Sequence, residues 1–443
     1  MAEEQAGAPK SKAKPIGFWG CWSLTVGVMI GSGIFLLPSS MAPYGLMGFA
    51  GWVLTAGGSI LLALTLGRLA IRTTRTGGPY AYAHDAFGDL PGFLVVWGYW
   101  ASYWIAIPAI AIAFVGYVTV FFPVLGQAPL AQAGVALALI WGLGLVSLRG
   151  ASEASFLQLV MTVLKLLPIL VIIGLGAIAG QVSNLPAVNP TGGSFLGVLS
   201  TTALLTMWAF AGLESGTIPA GEIRDPQKTI PRATVIGTIT VALVYIASTA
   251  AVMLLVPADQ LVTSTSPFAD AAQRLGPWAR PLVAIGALIS TAGALNGVIF
   301  LSGQLPMAVA LDRLAPKFFA TKNASGAPKW SLLISLILGS ILLVANYSRG
   351  LVGAFTFLLM MSTLALLMPL LVSALAELRH SWASARSWAI IALLAALYSC
   401  FAIFGSGLEV LFWGMVLMLI GLPVFYLGRQ GKAGKVSPSA PGE

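Results

Sequence analysis

The sequence predicts an all-α integral membrane protein with twelve transmembrane helices, of which the first and the sixth are broken midway. Composition is the first observation behind this prediction, because 58% of the 443 residues are hydrophobic and only 8% are charged. A soluble protein of this size needs more charge to cover its surface, so the composition excludes that class. The other two observations are a series of long apolar segments and glycine-rich interruptions within two of them.

Twelve apolar segments are long enough to cross the hydrocarbon core, which takes about 20 helical residues. The predicted spans cover residues 16–38, 46–69, 93–122, 130–148, 153–180, 194–221, 230–256, 282–311, 330–347, 351–376, 387–405 and 408–428. The loops between them are short, so we expect no separately folded domain outside the membrane. Residues 259–277 are predicted to hold a surface helix on the outer side.

Lysine and arginine residues fall mainly on one side of this arrangement. With the amino terminus placed inside, 19 of the 23 lie on the inner side and only Arg274, Arg280 and Arg349 lie outside. The remaining one, Lys165, falls within the fifth span. Positive residues concentrate on the cytoplasmic side of membrane proteins. We therefore predict a multi-pass protein of the cytoplasmic (inner) membrane with both termini in the cytoplasm.

Two spans at corresponding places in the two halves contain glycine in their middle. The first reads Val26-Gly27-Val28-Met29-Ile30-Gly31-Ser32-Gly33-Ile34-Phe35, and the second reads Trp208-Ala209-Phe210-Ala211-Gly212-Leu213-Glu214-Ser215-Gly216. Irregular backbone at membrane depth is tolerated only where it lines a cavity or is buried in protein. Paired broken helices indicate the binding site of a secondary transporter. The alternative is that these glycines only let helices pack closely.

The two breaks offer complementary chemistry. Gly31-Ser32-Gly33 begins a half-helix whose free N–H groups, together with the Ser32 hydroxyl, suit an anionic group such as a carboxylate. Carbonyls freed near Trp208–Ala211 suit a cationic amine. We therefore predict a site for the zwitterionic head of an amino acid, with Trp208 closing over the substrate or stacking on a cationic group.

Two charged residues lie within predicted spans, where charges are costly and usually face a cavity or a partner. Burial lowers the pKa of a lysine, so Lys165 is a candidate protonation switch or a substitute for a bound cation. The alternative is a permanently charged lysine held by carbonyl groups of the first span. Glu214, in the second break, either attracts a cationic side chain, carries a proton, or ties backbone N–H groups.

Further polar candidates are weaker. Tyr99 in the third span is predicted to line the same cavity, with core packing as the alternative. Ser302 and Ser362 are candidates too, although serines in membrane helices often bond only their own backbone. The two cysteines lie in apolar runs and the two histidines near the inner surface, so we predict no disulfide framework, metal site or cofactor.

With these residues in view, the chain resembles the amino acid–polyamine–organocation (APC) transporters along nearly its whole length. The motifs that carry the resemblance are Gly31-Ser32-Gly33-Ile34-Phe35, Gly77-Gly78-Pro79-Tyr80-Ala81-Tyr82 with Ala86-Phe87-Gly88, Trp208-Ala209-Phe210-Ala211-Gly212-Leu213-Glu214, and Gly221-Glu222-Ile223-Arg224-Asp225-Pro226-Gln227-Lys228-Thr229-Ile230-Pro231-Arg232-Ala233. Within the family the chain is most similar to the bacterial basic amino acid/polyamine antiporters, including the arginine/agmatine exchanger.

The resemblance implies a LeuT-like fold, in which two inverted repeats of five helices are followed by two further helices. On this chain the repeats would cover residues 16–180 and 194–378, and the last two helices residues 386–428. The cytoplasmic tails would then be residues 1–15 and 429–443.

The resemblance also implies roles for single residues. Ser32 and Gly33 would receive the substrate carboxylate, and the carbonyl groups of Met29, Trp208 and Ala211 would receive its amine. Trp208 would be an aromatic wall or gate, while Tyr80 and Glu214 would contribute to the inner gate. The full set of predicted binding residues is Met29, Gly31, Ser32, Gly33, Tyr99, Trp208, Ala211, Glu214, Val298 and Ser362, and the predicted coupling or gating residues are Lys165, Glu214, Tyr80 and Trp208.

Departures from the family pattern bear on the substrate. Val298 stands where the arginine/agmatine exchanger has a second tryptophan, and Ile107 stands where it has an asparagine. Both weaken the prediction of guanidinium recognition. Lys165 matches the lysine that other family members place at the former sodium position, which argues against sodium dependence.

These observations predict an alternating-access carrier of amino acids or polyamines, working as an exchanger or with protons. A neutral amino acid porter is the alternative. We find no catalytic constellation of the kind that a membrane enzyme would need. A channel would need a continuous polar pore lining, which these spans do not show. The expected partners are the small-molecule substrate, protons and the lipid bilayer, with no nucleic acid. The oligomeric state stays open, a homodimer being one alternative.

Overall fold

A computed structural model describes residues 17–31, 33–72, 78–149, 154–214 and 223–433, and within them all side chains except those of Leu24, 154–165 and 429–433. In these ranges the regular structure is helical, apart from isolated β-bridge residues at Ile223 and between Lys322 and Pro328. The all-α class predicted from the sequence is therefore confirmed.

Sixteen α-helices follow one another along the described residues. The first eight are α1 (Phe18–Met29), α2 (Leu37–Met41), α3 (Met47–Arg72), α4 (Pro79–Phe87), α5 (Asp89–Val118), α6 (Pro129–Leu148), α7 (Ala154–Ala179) and α8 (Phe195–Met207). The others are α9 (Pro226–Leu255), α10 (Ala258–Leu261), α11 (Pro267–Ala272), α12 (Ala279–Leu311), α13 (Lys329–Asn346), α14 (Gly350–Ser381), α15 (Arg386–Phe404) and α16 (Gly407–Ala433).

Eight helical segments in the described part of the chain are long and apolar enough to cross a membrane. One of them, Lys329–Ser381, comprises α13 and α14, which meet at Gly350 with a φ of 71°. Shorter apolar helices cover Phe18–Met29, Leu166–Ala179 and Phe195–Phe210. The protein is therefore a multi-pass membrane protein, while the number of twelve spans stays a prediction.

Helix α5 forms the centre of the bundle. It is the most deeply buried of the eight segments and packs mainly against α12 and α14. Small residues allow this packing, because a side chain at Gly98 would meet the Ala365 carbonyl oxygen and Pro369 at 3.0 Å. Close approach through small residues is the usual way in which helices associate in a bilayer. Helix α5 is therefore a closely packed wall for any cavity beside it.

The carboxyl-terminal end of α5 anchors two short helices. The Tyr117 hydroxyl donates a hydrogen bond to the Phe35 carbonyl at 2.6 Å, and the Phe268 N–H donates to the same hydroxyl at 3.4 Å. The rings of Phe35 and Phe268 meet edge to face at 5.3 Å. The loop predicted to hold one surface helix holds two, α10 and α11. The second of them, α11, packs on Phe35 and on α12.

At the opposite end of the bundle, charged side chains join α3, α4 and α14. Arg72 donates hydrogen bonds to Glu377 at 3.1 Å and to Ser381 at 2.9 Å. Arg379 donates to the carbonyl of Ala86, the penultimate residue of α4, at 2.8 Å. Glu377 is fully buried, so its charge depends on Arg72 for compensation.

Candidate functional site

The first predicted break is a break in the structure. Helix α1 ends at Met29, Ile30 leaves helical geometry with a ψ of 84°, and a 3-10 turn over Gly33–Phe35 leads into α2. The Met29 carbonyl accepts hydrogen bonds from the Tyr245 hydroxyl at 2.7 Å and from the Gly31 N–H at 2.8 Å. A carbonyl oxygen has two lone pairs, so both are already used. The Met29 carbonyl, predicted to receive the substrate amine, is therefore already hydrogen-bonded within the protein in this structure.

The second break has a different geometry. Helix α8 ends at Met207, a 3-10 turn follows over Trp208–Phe210, and Ala211 is extended with a ψ of 127°. Gly212 has a φ of 99°, in the region that favours glycine, so this residue permits the change of direction. The Ala211 N–H donates to the Trp208 carbonyl at 3.1 Å. The Trp208 carbonyl therefore keeps one lone pair for another donor.

The two breaks touch each other through one pair of residues. A β-carbon built on Gly33 would lie 2.3 Å from both Cδ1 and Nε1 of the Trp208 indole. Only glycine allows an aromatic ring to approach the backbone so closely. The backbone predicted to receive a carboxylate and the predicted aromatic wall are therefore in direct contact.

A cavity of about 150 Å³ lies between the breaks and the helices α5, α9, α12 and α14. It brings together most of the predicted binding residues, namely Met29, Gly31, Gly33, Trp208, Ala211, Glu214, Val298 and Ser362. Among the described residues that line it, Glu214 is the only one with a charged side chain. The arrangement places one buried carboxyl group between two stretches of irregular backbone, in a chamber whose other described lining residues carry no charge.

Helix α5 forms one wall of the cavity, and the residues that it contributes were not predicted from the sequence. Ser102, Tyr103, Ala106 and Ile110 line the cavity. Their spacing of three to four residues marks one face of a helix. Tyr99 lies on that face one turn before Tyr103 and does not line the cavity, and its buried hydroxyl has no hydrogen-bond partner among the described residues.

Ile107, compared above with an asparagine of related exchangers, points elsewhere. It is fully buried, and its Cβ and Cγ2 are 3.4 and 3.3 Å from a β-carbon built on Gly339 of α13. The neighbouring Ala106 faces the cavity instead. The departure at Ile107 therefore says little about the substrate, whereas Val298 does line the cavity.

The two serine candidates behave differently. Ser362 on α14 lines the cavity, and its hydroxyl donates to the Ser102 carbonyl of α5 at 2.7 Å. It thus links two walls of the chamber rather than bonding its own helix. Ser302 donates to the Ile299 carbonyl of its own helix at 2.7 Å and does not line the cavity. The backbone-bonding alternative describes Ser302 and not Ser362.

Glu214 is buried beside the second break. Its carboxyl group accepts hydrogen bonds from the backbone at Gly212 and at Glu214 itself. The tying role considered for this residue is therefore visible in the structure. The same carboxyl lines the cavity, so tying the backbone does not remove it from the reach of a bound cation.

The remaining predicted residues lie apart from the cavity or outside the described set. Tyr80 is on α4, with its ring 6.0 Å from that of His84, and does not line the cavity. Ser32 and the side chain of Lys165 lie outside the described residues. No group of three or more His, Cys, Asp or Glu in the described part of the chain is arranged to hold a metal ion.

Tyr245 of α9 is a cavity residue that sequence reasoning missed. Its hydroxyl binds the first break at Met29, and its ring meets Phe210 of the second break edge to face at 6.4 Å. Trp52 of α3 completes this aromatic group, with its ring 5.6 Å from Tyr245 and 6.3 Å from Phe210. A tyrosine within a long apolar span was the available signal, but other tyrosines of this chain share it.

A sequence model of the amino acid permease family matches residues 16–427. The chain belongs to this family. A relative from Bacillus subtilis (strain 168) is 34% identical over 93% of this chain and 95% of its own. The cadaverine/lysine antiporter of Escherichia coli (strain K12) is 34% identical over 74% of each chain. The arginine/ornithine antiporter of Pseudomonas aeruginosa (strain PAO1) is 31% identical over 91% of this chain and 88% of its own.

Membership in the amino acid permease family confirms the transporter predicted from the two breaks. It also confirms the resemblance on which the residue roles were based. The chain is thus a transporter and not the membrane enzyme considered as an alternative. The roles of single residues stay predictions, since belonging to the family does not test them.

Proposed function

We propose that this permease exchanges cationic amino acids, or their decarboxylated amines, across the cytoplasmic membrane by alternating access. The observation that carries the proposal is the chamber between the two breaks, in whose wall Trp208 lies against Gly33. Backbone N–H groups of the first break would hold the carboxylate, and the carbonyls of Trp208 and Ala211 would hold the amine. Helix α5 would form the fixed wall against which the breaks move.

Glu214 supports a cationic substrate. It supplies the one carboxyl group among the described lining residues, and the chamber holds no other acidic or basic side chain among them. A charge in such surroundings interacts strongly with an opposite charge, because little water screens it. The names of two relatives, a cadaverine/lysine antiporter and an arginine/ornithine antiporter, agree with this substrate class and with exchange.

A neutral amino acid remains the second candidate, on one specific observation. The Glu214 carboxyl already accepts hydrogen bonds from the backbone, and Val298 and Leu301 give the chamber an apolar wall. In that case Glu214 would only stabilise the second break, and an apolar side chain would occupy the space beside Val298.

We place twelve helices in the membrane, in two inverted repeats of five and a final pair. The support is that the described chain breaks at matching places, after Met29 in the first half and after Met207 in the second. Both termini would be cytoplasmic, as the distribution of lysine and arginine indicates. Lys165 would serve coupling, and Tyr80 with Glu214 would serve the inner gate. Coupling to protons is one alternative within this proposal, and assembly as a homodimer is another.

Uptake into proteoliposomes tests the proposal. Labelled arginine, lysine, cadaverine and leucine are offered to vesicles that are empty, loaded with ornithine, or given an imposed pH gradient. Uptake of arginine or lysine only into loaded vesicles supports exchange of cationic substrates. Uptake of leucine driven by the pH gradient supports the neutral porter instead. If no substrate shows saturable uptake in any vesicle, the proposed function is wrong.

A further inference from the structure

A second cavity, of about 450 Å³, lies away from the central chamber. Its walls are α2, the first three turns of α14, and the turn that leads into α16. The residues that line it include Ser39, Arg349, Thr356, Phe357 and Glu409. In the orientation proposed above it opens on the outer side of the membrane.

This cavity contains one charge of each sign. The Arg349 guanidinium forms an ion pair with the Glu409 carboxylate at 2.5 Å and lies 4.1 Å above the centre of the Phe357 ring. Both side chains are accessible, with exposed fractions of 40% and 54%. Ion pairs exposed to this degree contribute little to stability, so their partners can be exchanged for those of a ligand.

The wall of this cavity also contains a buried hydroxyl group. Ser39 is fully buried at the cavity wall, and its Oγ has no hydrogen-bond partner among the described residues. Unpaired buried hydroxyl groups are uncommon because the lost hydrogen bond to water is not replaced. The adjacent Ser40 is satisfied, since its hydroxyl is 2.8 Å from that of Thr356.

The position of the cavity links it to the central chamber. Helix α2 directly follows the first break, and α14 continues to Ser362 and Leu366, which line the chamber. The Ser40–Thr356 hydrogen bond joins these two helices at the cavity wall. A molecule held here would therefore contact both α2 and α14. An opening between these two helices would lead to the central chamber.

We propose that this cavity is an outer reception site for an α-amino acid. The substrate carboxylate would bind the Arg349 guanidinium, for which paired N–H donors are well suited. The substrate amine would bind Glu409, and its side chain would lie along Phe357. A decarboxylated amine lacks the group that Arg349 recognises, so the site would favour the amino acid over the amine on the outer face. This inference rests on the proposed function.

Exchange kinetics of the full-length protein test the inference. In proteoliposomes loaded with ornithine, the external KM is measured for arginine and for its decarboxylated product agmatine. We expect Arg349→Gln to raise the KM for arginine about tenfold, the loss typical of one charge-assisted hydrogen bond. The KM for agmatine should stay within about twofold. The matched control is Arg274→Gln, which removes the same charge from the outer side without touching the cavity.

Glu409→Gln gives a second, independent variant at an exposed position, with exposed Asp259→Asn as its control. It should raise the KM for both substrates, since both carry an amine. The inference is overturned if Arg349→Gln behaves as Arg274→Gln does, or if arginine and agmatine lose affinity equally in Arg349→Gln. These outcomes require a wild-type protein that exchanges substrate, so they differ from failure of the proposed function.

Discussion

The indole ring of Trp208 lies against the α-carbon of Gly33. A β-carbon at position 33 would stand 2.3 Å from two atoms of that ring, a distance that no real contact allows. The contact joins the two broken helices in the wall of the chamber between them. Because the glycine and the ring are in direct contact, each residue limits the substitutions that are tolerated at the other position.

Replacing Trp208 should open the chamber. Trp208→Leu keeps an apolar residue but removes the ring that covers Gly33. We expect the KM for arginine to rise about tenfold, in line with the ~1.4 kcal/mol that a buried aromatic contact supplies. Trp413→Leu is the control, because Trp413 is about half exposed on α16 and lines no described cavity. Equal behaviour of the two variants would show that Trp208 does not cover the substrate.

Removing the Tyr245 hydroxyl should loosen the first break. In Tyr245→Phe the Met29 carbonyl loses the donor at 2.7 Å and keeps only the Gly31 N–H. A lost hydrogen bond in a buried site costs about 1 kcal/mol, so we expect the substrate KM to rise about fivefold. Tyr398→Phe is matched to it, since that buried hydroxyl bonds the Met207 sulfur and does not line the chamber. A KM that changes equally in both variants would remove Tyr245 from the site.

Neutralising Glu214 should separate cationic from neutral substrates. Glu214→Gln keeps the size of the side chain and its ability to accept backbone hydrogen bonds. If the charge binds the substrate, arginine and lysine should lose affinity by about tenfold or more while any binding of leucine is kept. Competition binding to the purified protein measures this, with exposed Asp312→Asn as the control. Equal losses for arginine and leucine would indicate that Glu214 only supports the break.

Breaking the Arg72–Glu377 ion pair should destabilise the fold rather than the site. Arg72→Ala leaves the fully buried Glu377 carboxylate without its cation. Removing one partner of a buried pair costs about 3 kcal/mol or more, so the melting temperature in detergent should fall by several degrees. The double variant Arg72→Ala with Glu377→Gln should recover most of that loss. If the double variant melts lower than Arg72→Ala, the pair is not what holds α3 to α14.

The sequence was sufficient to find the two breaks, because glycines in the middle of an apolar span weaken the helix at that point. Trp208 could also be placed near the chamber by its position at the second break, Ser362 as a polar residue within a span, and Val298 by resemblance. Tyr103 and Tyr245 could not, because the face that a helix turns to a cavity depends on its rotation against its neighbours. For α5, a central helix that is apolar on every side, no hydrophobic period reveals that rotation. The side of α5 on which Ile107 lies was hidden for the same reason, since one residue along a helix changes the face by about 100°.

Hydrogen bonds within the breaks also lay beyond the sequence. The pattern Met29-Ile30-Gly31 indicates freed backbone, but not that the Met29 carbonyl is taken by a hydroxyl of α9, 216 residues later in the chain. The same holds for Glu214, whose charge was visible and whose bonds to the backbone were not. In both cases the contact is formed only in the folded structure.

The most direct test of the binding chamber is equilibrium binding of labelled arginine to purified Gly33→Ala and Gly57→Ala. Gly57 lies in α3 with nothing within 4 Å of an added β-carbon, whereas Gly33 would meet Trp208. Overpacking of this kind costs about 1–3 kcal/mol. We expect Gly33→Ala to lose arginine affinity at least tenfold and Gly57→Ala to bind as the wild type does. Wild-type affinity in Gly33→Ala would contradict a substrate site between the two breaks.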